Sequence, residues 1–273
     1  MKIVQAIATK NPCYTAGRKI TVKGLMLHSV GCNQPSAEVF ATGWNPPKNG
    51  RQICVHAVID GKTGDVWQLL PWNHRGWHCA SGSNGSGNNT HIGVEMCEPS
   101  CIKYTGGSSF TCSDVPAARA VAQRTYDAAV QLFAHLCKTY GLDPLKDGVV
   151  ISHKEGHKRG IASNHGDPEH LWRQLEMGYT MDTFRTAVKA AMTGADAVPE
   201  EDVKQEDNGL VGAYKVRVCI DNLNIRTGAG TDYPKTGKYT GKGVFTIVET
   251  KGNWGKLKSG SGWICLAYAE KMG

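Results

Sequence analysis

The sequence predicts an α/β unit with a mixed central sheet covered by helices, followed by a small all-β barrel. Three observations carry this reading. Strand-length apolar runs alternate with helical periods up to residue 192, residues 193–210 are acidic and lack apolar periodicity, and short β-branched runs recur between glycine turns thereafter. The expected boundaries are 1–192 for the first unit, 193–212 for an acidic linker and 213–273 for the second unit.

In chain order, Gly24–His28 and Val55–Ile59 read as buried strands. The second is followed by the turn Asp60-Gly61-Lys62-Thr63-Gly64 and the strand Asp65–Leu69, a hairpin signal. His91–Cys97 reads as another strand. Asp114 as N-cap, Pro116 in the first turn and Gly141 at the end bracket a long helix. Ala118, Val121, Thr125, Ala129, Leu132, Phe133, Leu136 and Tyr140 form its buried stripe. Val149–Ser152 gives a last strand, and Pro168–Met177 and Met181–Met192 read as helices. Beyond the linker, Tyr214–Ile220, Leu223–Arg226, Val244–Glu249, Trp254–Lys258 and Trp263–Leu266 read as strands, separated by Thr227–Gly230, Gly241–Gly243 and Lys251–Asn253.

Composition narrows the classes. The 273 residues are 40% hydrophobic and 20% charged with 33 glycines, which fits a folded chain with ample core rather than a disordered or collagen-like one. No apolar run reaches the roughly 18 residues of a membrane span, and the start Met1–Lys10 is too polar for a signal-peptide core. The expectation is a chain without membrane insertion and without its own secretory signal. The formal charge of +7 divides into +6 for 1–192, −5 for 193–210 and +6 for 211–273. Basic residues spread over both units without a stripe, which argues against nucleic acid as a partner. The ten cysteines include no C-x-x-C pair, so reduced thiols are expected, with a Cys97–Cys101 disulfide left open.

Three histidines stand where a rigid element ends or a glycine turn begins. His28 closes the strand Gly24–His28, His153 follows Val149–Ser152, and His165 lies in the turn Ser163-Asn164-His165-Gly166-Asp167-Pro168. Ligand sites in such sheets form at strand ends, and three neutral imidazoles with one position left to water make a catalytic zinc shell. A chain with ten histidines also yields such triplets by chance. His153-Lys154-Glu155-Gly156-His157 departs from the helical metalloprotease motif, because Glu is two residues after the first His and Gly156 weakens a helix. In His91–Glu98, alternation sets Glu95 on the face opposite Ile92, Val94 and Met96, where a carboxylate can serve a metal-bound water as general base or simply meet solvent.

Taken together, His28 in Leu-His-Ser, the strand Val55–Asp60, Trp77-His78-Cys79, Asn89–Glu95 and Ser152-His153 through Asn164–Pro168 resemble the zinc-dependent N-acetylmuramoyl-L-alanine amidases of the phage-lysozyme and peptidoglycan-recognition-protein type, in matching order over about residues 15–190. The resemblance implies hydrolysis of the amide between N-acetylmuramic acid and L-alanine in bacterial peptidoglycan. It implies Zn2+ held by His28, His153 and His165, with Glu95 as acid/base. Departures from the family pattern are visible. Many members have a cysteine about eight residues after the second ligand, whereas His165 comes twelve after His153, and His157 stays open as an alternative to His153. Some relatives carry a tyrosine before the position of His56 and a lysine or threonine two before the third ligand; here Val55 and Ser163 stand there, which leaves Ser163 as a donor to the oxyanion. Trp77 and Asn89, beside the glycine-rich segment 81–89, are the expected substrate contacts.

Leu223–Tyr233, Asn253–Lys258 and Gly262-Trp263-Ile264 resemble the bacterial SH3-type barrels that follow cell-wall hydrolases. That resemblance implies an SH3-like barrel binding the wall, with Tyr233, Trp254 and Trp263 as contact candidates of which at least two are expected to fill the barrel, and with its positive charge drawing it to anionic wall polymers. The expected whole is a monomeric endolysin or autolysin, made in the bacterial cytoplasm and acting at the wall. A non-catalytic zinc-containing muropeptide receptor and a zinc peptidase acting on stem peptides are the alternatives.

Overall fold

The computed structural model describes residues 1–48, 53–193, 213–218, 220–230, 233–251 and 254–272. The acidic linker lies outside the described residues from 194 onward, as does Cys219. The chain divides into two compact units, 1–198 and 199–273.

The first unit contains strands β1 (Ile3–Gln5), β2 (Gly24–Ser29), β3 (Ala57–Ile59), β4 (Val66–Gln68), β5 (His91–Met96), a separate hairpin of β6 (Ile102–Gly106) and β7 (Ser109–Cys112), and β8 (Val150–Ser152). Its helices are α1 (Pro12–Thr15), α2 (Ala37–Gly43), α3 (Val115–Tyr140), α4 (His153–Lys158), α5 (Glu169–Gln174) and α6 (Met181–Met192). Six strands form one mixed sheet in the order β1-β4-β3-β5-β2-β8. β2 runs parallel to both β5 and β8, and β3 is parallel to β5 but antiparallel to β4.

The expected hairpin between β3 and β4 is held by Asp60, whose Oδ1 accepts from the backbone N–H groups of Lys62 and Thr63. α3 starts where Asp114 Oδ1 accepts from Ala117 N at 3.0 Å and ends at Gly141, whose φ of 63° needs a residue without Cβ strain. Leu132, Phe133 and Leu136 of α3 and Phe184 and Val188 of α6 pack on Leu25, Leu27, Ile92 and Val94, so this face of the sheet is the main core. Met26 points the other way, to Cys79, Ile151 and Ala162. A strand alternates faces, so His28 shares the Met26 face.

β1, α1, α2 and the β6–β7 hairpin go beyond the sequence reading. So does α4: Gly156 does not prevent a helix there. Ser152 Oγ accepts from Glu155 N while Glu155 Oε2 accepts from Ser152 N, a reciprocal cap. Gly156 is what lets α4 sit close, since a Cβ there would meet Met26 Cε at 3.0 Å and Ala162 Cβ at 3.2 Å.

The second unit is all β: β9 (Tyr214–Val218), β10 (Asn224–Arg226), β11 (Lys235–Tyr239), β12 (Gly243–Lys251), β13 (Trp254–Leu257), β14 (Trp263–Cys265) and β15 (Ala269–Lys271). They pair antiparallel in the order β11-β10-β14-β13-β12-β9-β15 around Val216, Val218, Leu223, Ile225, Ile247, Leu257 and Ile264. β11 and β15 were not expected; both are short, polar edge strands with little apolar alternation.

Candidate active site

The carboxyl ends of the central parallel strands converge on one place. In the parallel register His28 of β2 stands beside Glu95 of β5, and Leu27 stands beside Ser152 of β8, so His153, the first residue of α4, follows directly. Rigid strands thus deliver His28, Glu95 and His153 to one edge of the sheet.

His28 Nδ1 lies 3.0 Å from His153 Nδ1 and 3.2 Å from Asp167 Oδ2, and His153 Nδ1 lies 3.5 Å from Asp167 Oδ1. One ligand-type atom from each of His28, His153 and Asp167 falls within 4.8 Å of the others. The third place beside the two imidazoles is therefore taken by Asp167, and not by His165 as the sequence leads one to expect. His165 lies on the other side of His153, with Nδ1 3.2 Å from His153 Nε2 and 3.0 Å from Ser163 Oγ, and it is exposed. The turn 163–168 explains the exchange: it carries His165 and Asp167 two residues apart, and Asp167 is the buried one. His157, one turn along α4, is exposed with Nδ1 3.3 Å from the Ala162 carbonyl oxygen, away from the trio.

The electrostatics match a site prepared for a cation. Burial holds His28 down at about 4 against the pull of Asp167, so the ring is neutral and can offer a lone pair. Burial alone would raise Asp167, but the hydrogen bond to His153 and the neighbouring His28 ring outweigh it and keep the carboxyl well below its ordinary range. Glu95 goes the other way. Burial first, then the Asp167 and Glu98 carboxylates, push it well above the usual range, and its buried Oε2 has no hydrogen-bond partner. An orphaned carboxylate oxygen beside two imidazoles and a second carboxylate is a donor set with room for a positive charge.

Sequence reasoning did not assign the shell behind these residues. His78 Nδ1 lies 3.0 Å from His28 Nε2, and His78 Nε2 lies 3.1 Å from the His91 carbonyl oxygen. His56 Nδ1 accepts from Gly93 N at 3.0 Å, and its Nε2 donates to the His74 carbonyl at 2.8 Å. Two residues past the end of β5, Glu98 is fully buried, accepts from Tyr104 Oη at 2.7 Å and is pushed up to about 7 by burial.

Trp77 and Asn89, the expected substrate contacts, are linked by Arg75. Its guanidinium lies 5.1 Å from the Trp77 ring and its Nε donates to Asn89 Oδ1 at 2.7 Å. Ser163 Oγ lies 3.3 Å from His153 Nε2, at the mouth of the cluster. In the second unit Tyr233 is exposed and Trp254 partly so, with Arg226 5.9 Å from the Trp254 ring. Trp263 of β14 is buried, which fits the barrel-filling role rather than a surface contact.

A family model described as N-acetylmuramoyl-L-alanine amidase matches residues 17–170, more than half of the chain, and takes in His28, Glu95, His153 and Asp167. The chain belongs to this amidase family. Among curated amidases, CwlA of a Bacillus species is 33% identical over 79 residues, covering 29% of each chain. XlyA of Bacillus subtilis is 53% identical over 43 residues, 16% of this chain and 14% of that one. The matched segments thus span less than a third of those relatives. The Staphylococcus aureus hydrolase AmiA, solved in complex with its ligand, shares the amidase fold at a TM-score of 0.52 and 19% identity, covering 70% of this chain and 83% of that chain. No helix among the described residues of this amidase-family chain is long and apolar enough to cross a membrane.

Proposed function

We propose that the protein hydrolyses the amide between N-acetylmuramic acid and L-alanine in bacterial peptidoglycan, with Zn2+ held by His28, His153 and Asp167. The observation that carries this reading is the trio itself: two imidazole nitrogens and a carboxylate within 4.8 Å of one another, beside the unpartnered carboxylate oxygen of Glu95. Two histidines and one carboxylate are a catalytic zinc set, because they leave a fourth position open. Bound there, the ion supplies Lewis-acid polarisation of a carbonyl and lowers the pKa of a water to about 7.

The protein's own groups do the rest. Glu95, next to His28 in the β2–β5 register, takes a proton from the attacking water and returns it to the leaving amine of L-alanine. Burial raises its proton affinity, which suits a group that must hold a proton between the two steps. His165 and Ser163, hydrogen-bonded to each other at the mouth, stand where a developing oxyanion needs a donor. Burial keeps the His165 ring below its ordinary value, so it meets substrate as a neutral donor. Arg75 clamps Trp77 and Asn89 into one surface that suits a sugar face and a peptide amide.

We also propose that residues 213–273 act as an SH3-type wall-binding module. Support comes from exposed Tyr233, from Trp254 beside Arg226 and from an excess of basic residues that favours anionic wall polymers. Digestion of purified peptidoglycan followed by mass spectrometry of the fragments tests the reaction. Intact stem peptides beginning with L-alanine, formed with zinc and not with a chelator present, are the expected products. Peptides cut within the stem would instead establish a peptidase, and no cleavage with zinc bound would establish a receptor.

A further inference from the structure

The hydrogen-bond chain behind His28 has a direction. The His91 carbonyl can only accept, so His78 Nε2, 3.1 Å away, carries the proton. In the neutral ring this leaves His78 Nδ1 as an acceptor, and at 3.0 Å it receives the proton on His28 Nε2. His28 Nδ1 is then bare, and it is the nitrogen that faces His153 Nδ1 at 3.0 Å and Asp167 Oδ2 at 3.2 Å. A carbonyl on β5 thereby fixes which nitrogen of His28 is free, through one intervening imidazole.

The same strand makes room for that imidazole. A Cβ on Gly93 would lie 2.3 Å from His78 Cγ and 2.6 Å from both Cδ2 and Nδ1, closer than any real contact. The obstructing atoms belong to a half-buried ring hydrogen-bonded at both nitrogens, so the ring cannot step aside without breaking the chain. Gly93 is held in turn from behind, its N–H donating to His56 Nδ1 at 3.0 Å. His28 and His78 meet edge to face, with ring centroids 5.1 Å apart and planes at 77°.

We propose that His78 is the positioning residue of the metal centre, setting the tautomer and ring orientation of His28, and that position 93 is glycine because the His78 ring fills the space of its Cβ. The inference rests on the zinc assignment above and adds a residue pair to it. Partners of this kind, when removed, typically cost about 10–100-fold in metal affinity.

The test measures zinc affinity of the full chain by competition with a chromophoric chelator, with far-UV circular dichroism of each metal-free variant as the check on folding. His78→Leu is expected to weaken zinc by about 10–100-fold. His78→Asn, whose amide oxygen can stand where Nδ1 stands, should recover most of that loss. Gly93→Ala should resemble His78→Leu. Wild-type affinity in His78→Leu, or equal losses in the Leu and Asn variants, would overturn the inference while zinc binding by the unaltered protein and its loss in Asp167→Ala would leave the metal assignment standing. Failure of the unaltered protein to bind zinc would overturn both. Long-range proton–nitrogen NMR of the metal-free wild-type protein reads the tautomer without any substitution: a proton on His28 Nε2 supports the chain, and a proton on its Nδ1 contradicts it.

Discussion

The two units of this chain bury different chemistry. Among the described residues every buried polar or charged side chain lies in the first unit, from Asn11 to His170, and many belong to the cluster around His28 or to the shell behind it. The second unit buries Val216, Val218, Leu223, Ile225, Ile247, Leu257, Trp263 and Ile264, and leaves its lysines outside. Both are sheets, yet only the first spends burial on groups that resist it. Desolvating imidazoles and carboxylates costs stability unless each finds a partner, so a fold carries such a cluster where the cluster has work to do. The second unit, with an apolar core and a wet basic surface, is built to present a surface rather than to perturb a group.

The contrast breaks first at Glu95. Glu95→Gln should keep the fold and bind zinc, yet lose about 100–10,000-fold in turnover on peptidoglycan, as the removal of a general acid/base does. Near-normal turnover in that variant would return the buried carboxylate to a structural role. The matching cut in the second unit is Ile247→Ala, at a fully buried apolar position. It should destabilise residues 213–273 by about 2–5 kcal/mol and leave zinc affinity unchanged, which a melting curve and a chelator titration measure together.

The sign of the acid response separates the units further. Burial holds His56 at about 4, below its ordinary 6.5, so the neutral ring is the stabilising form. Its contribution is complete above pH 6.5 and is lost as the pH falls toward 4, about 3 kcal/mol in all. Urea unfolding between pH 7 and 4.5 should show that loss in the parent and a shallower slope in His56→Gln; parallel slopes would remove His56 from the account. The smallest effect is expected from removing residues 196–273. Hydrolysis of a soluble muropeptide should be spared and adsorption to whole wall weakened, and unchanged adsorption would end the targeting role proposed for the second unit.

How far the sequence could be read follows the range of the interactions involved. α3 was legible because its signals are local: Asp114 caps one end, Gly141 the other, and its buried residues recur at helical spacing. The strands β2 and β5 were legible as apolar runs, with His28 at the end of one and Glu95 on the polar face of the other, while their pairing came only from the parallel register. The hairpin of β6 and β7 was not, because its strands alternate polar exposed residues with few buried ones. α4 was hidden by Gly156, although Ser152 and Glu155 at cap spacing carried the signal. Asp167 read as a turn residue before Pro168 or as an acceptor orienting an imidazole, and not as a ligand, since nothing in the local sequence tells which side chain of 163–168 faces inward. His78 had no local signal for its role, because its partner His28 is fifty residues away and the two meet only where the His78 ring lies over Gly93 of the neighbouring strand β5.

The proposed chemistry depends on three side chains sharing one ion. Anomalous diffraction at the zinc absorption edge from crystals of the zinc-loaded chain locates it without reference to activity. One peak bounded by His28 Nδ1, His153 Nδ1 and an Asp167 oxygen is the result expected; a peak on His165 or His157, or no peak between these three residues, would contradict it.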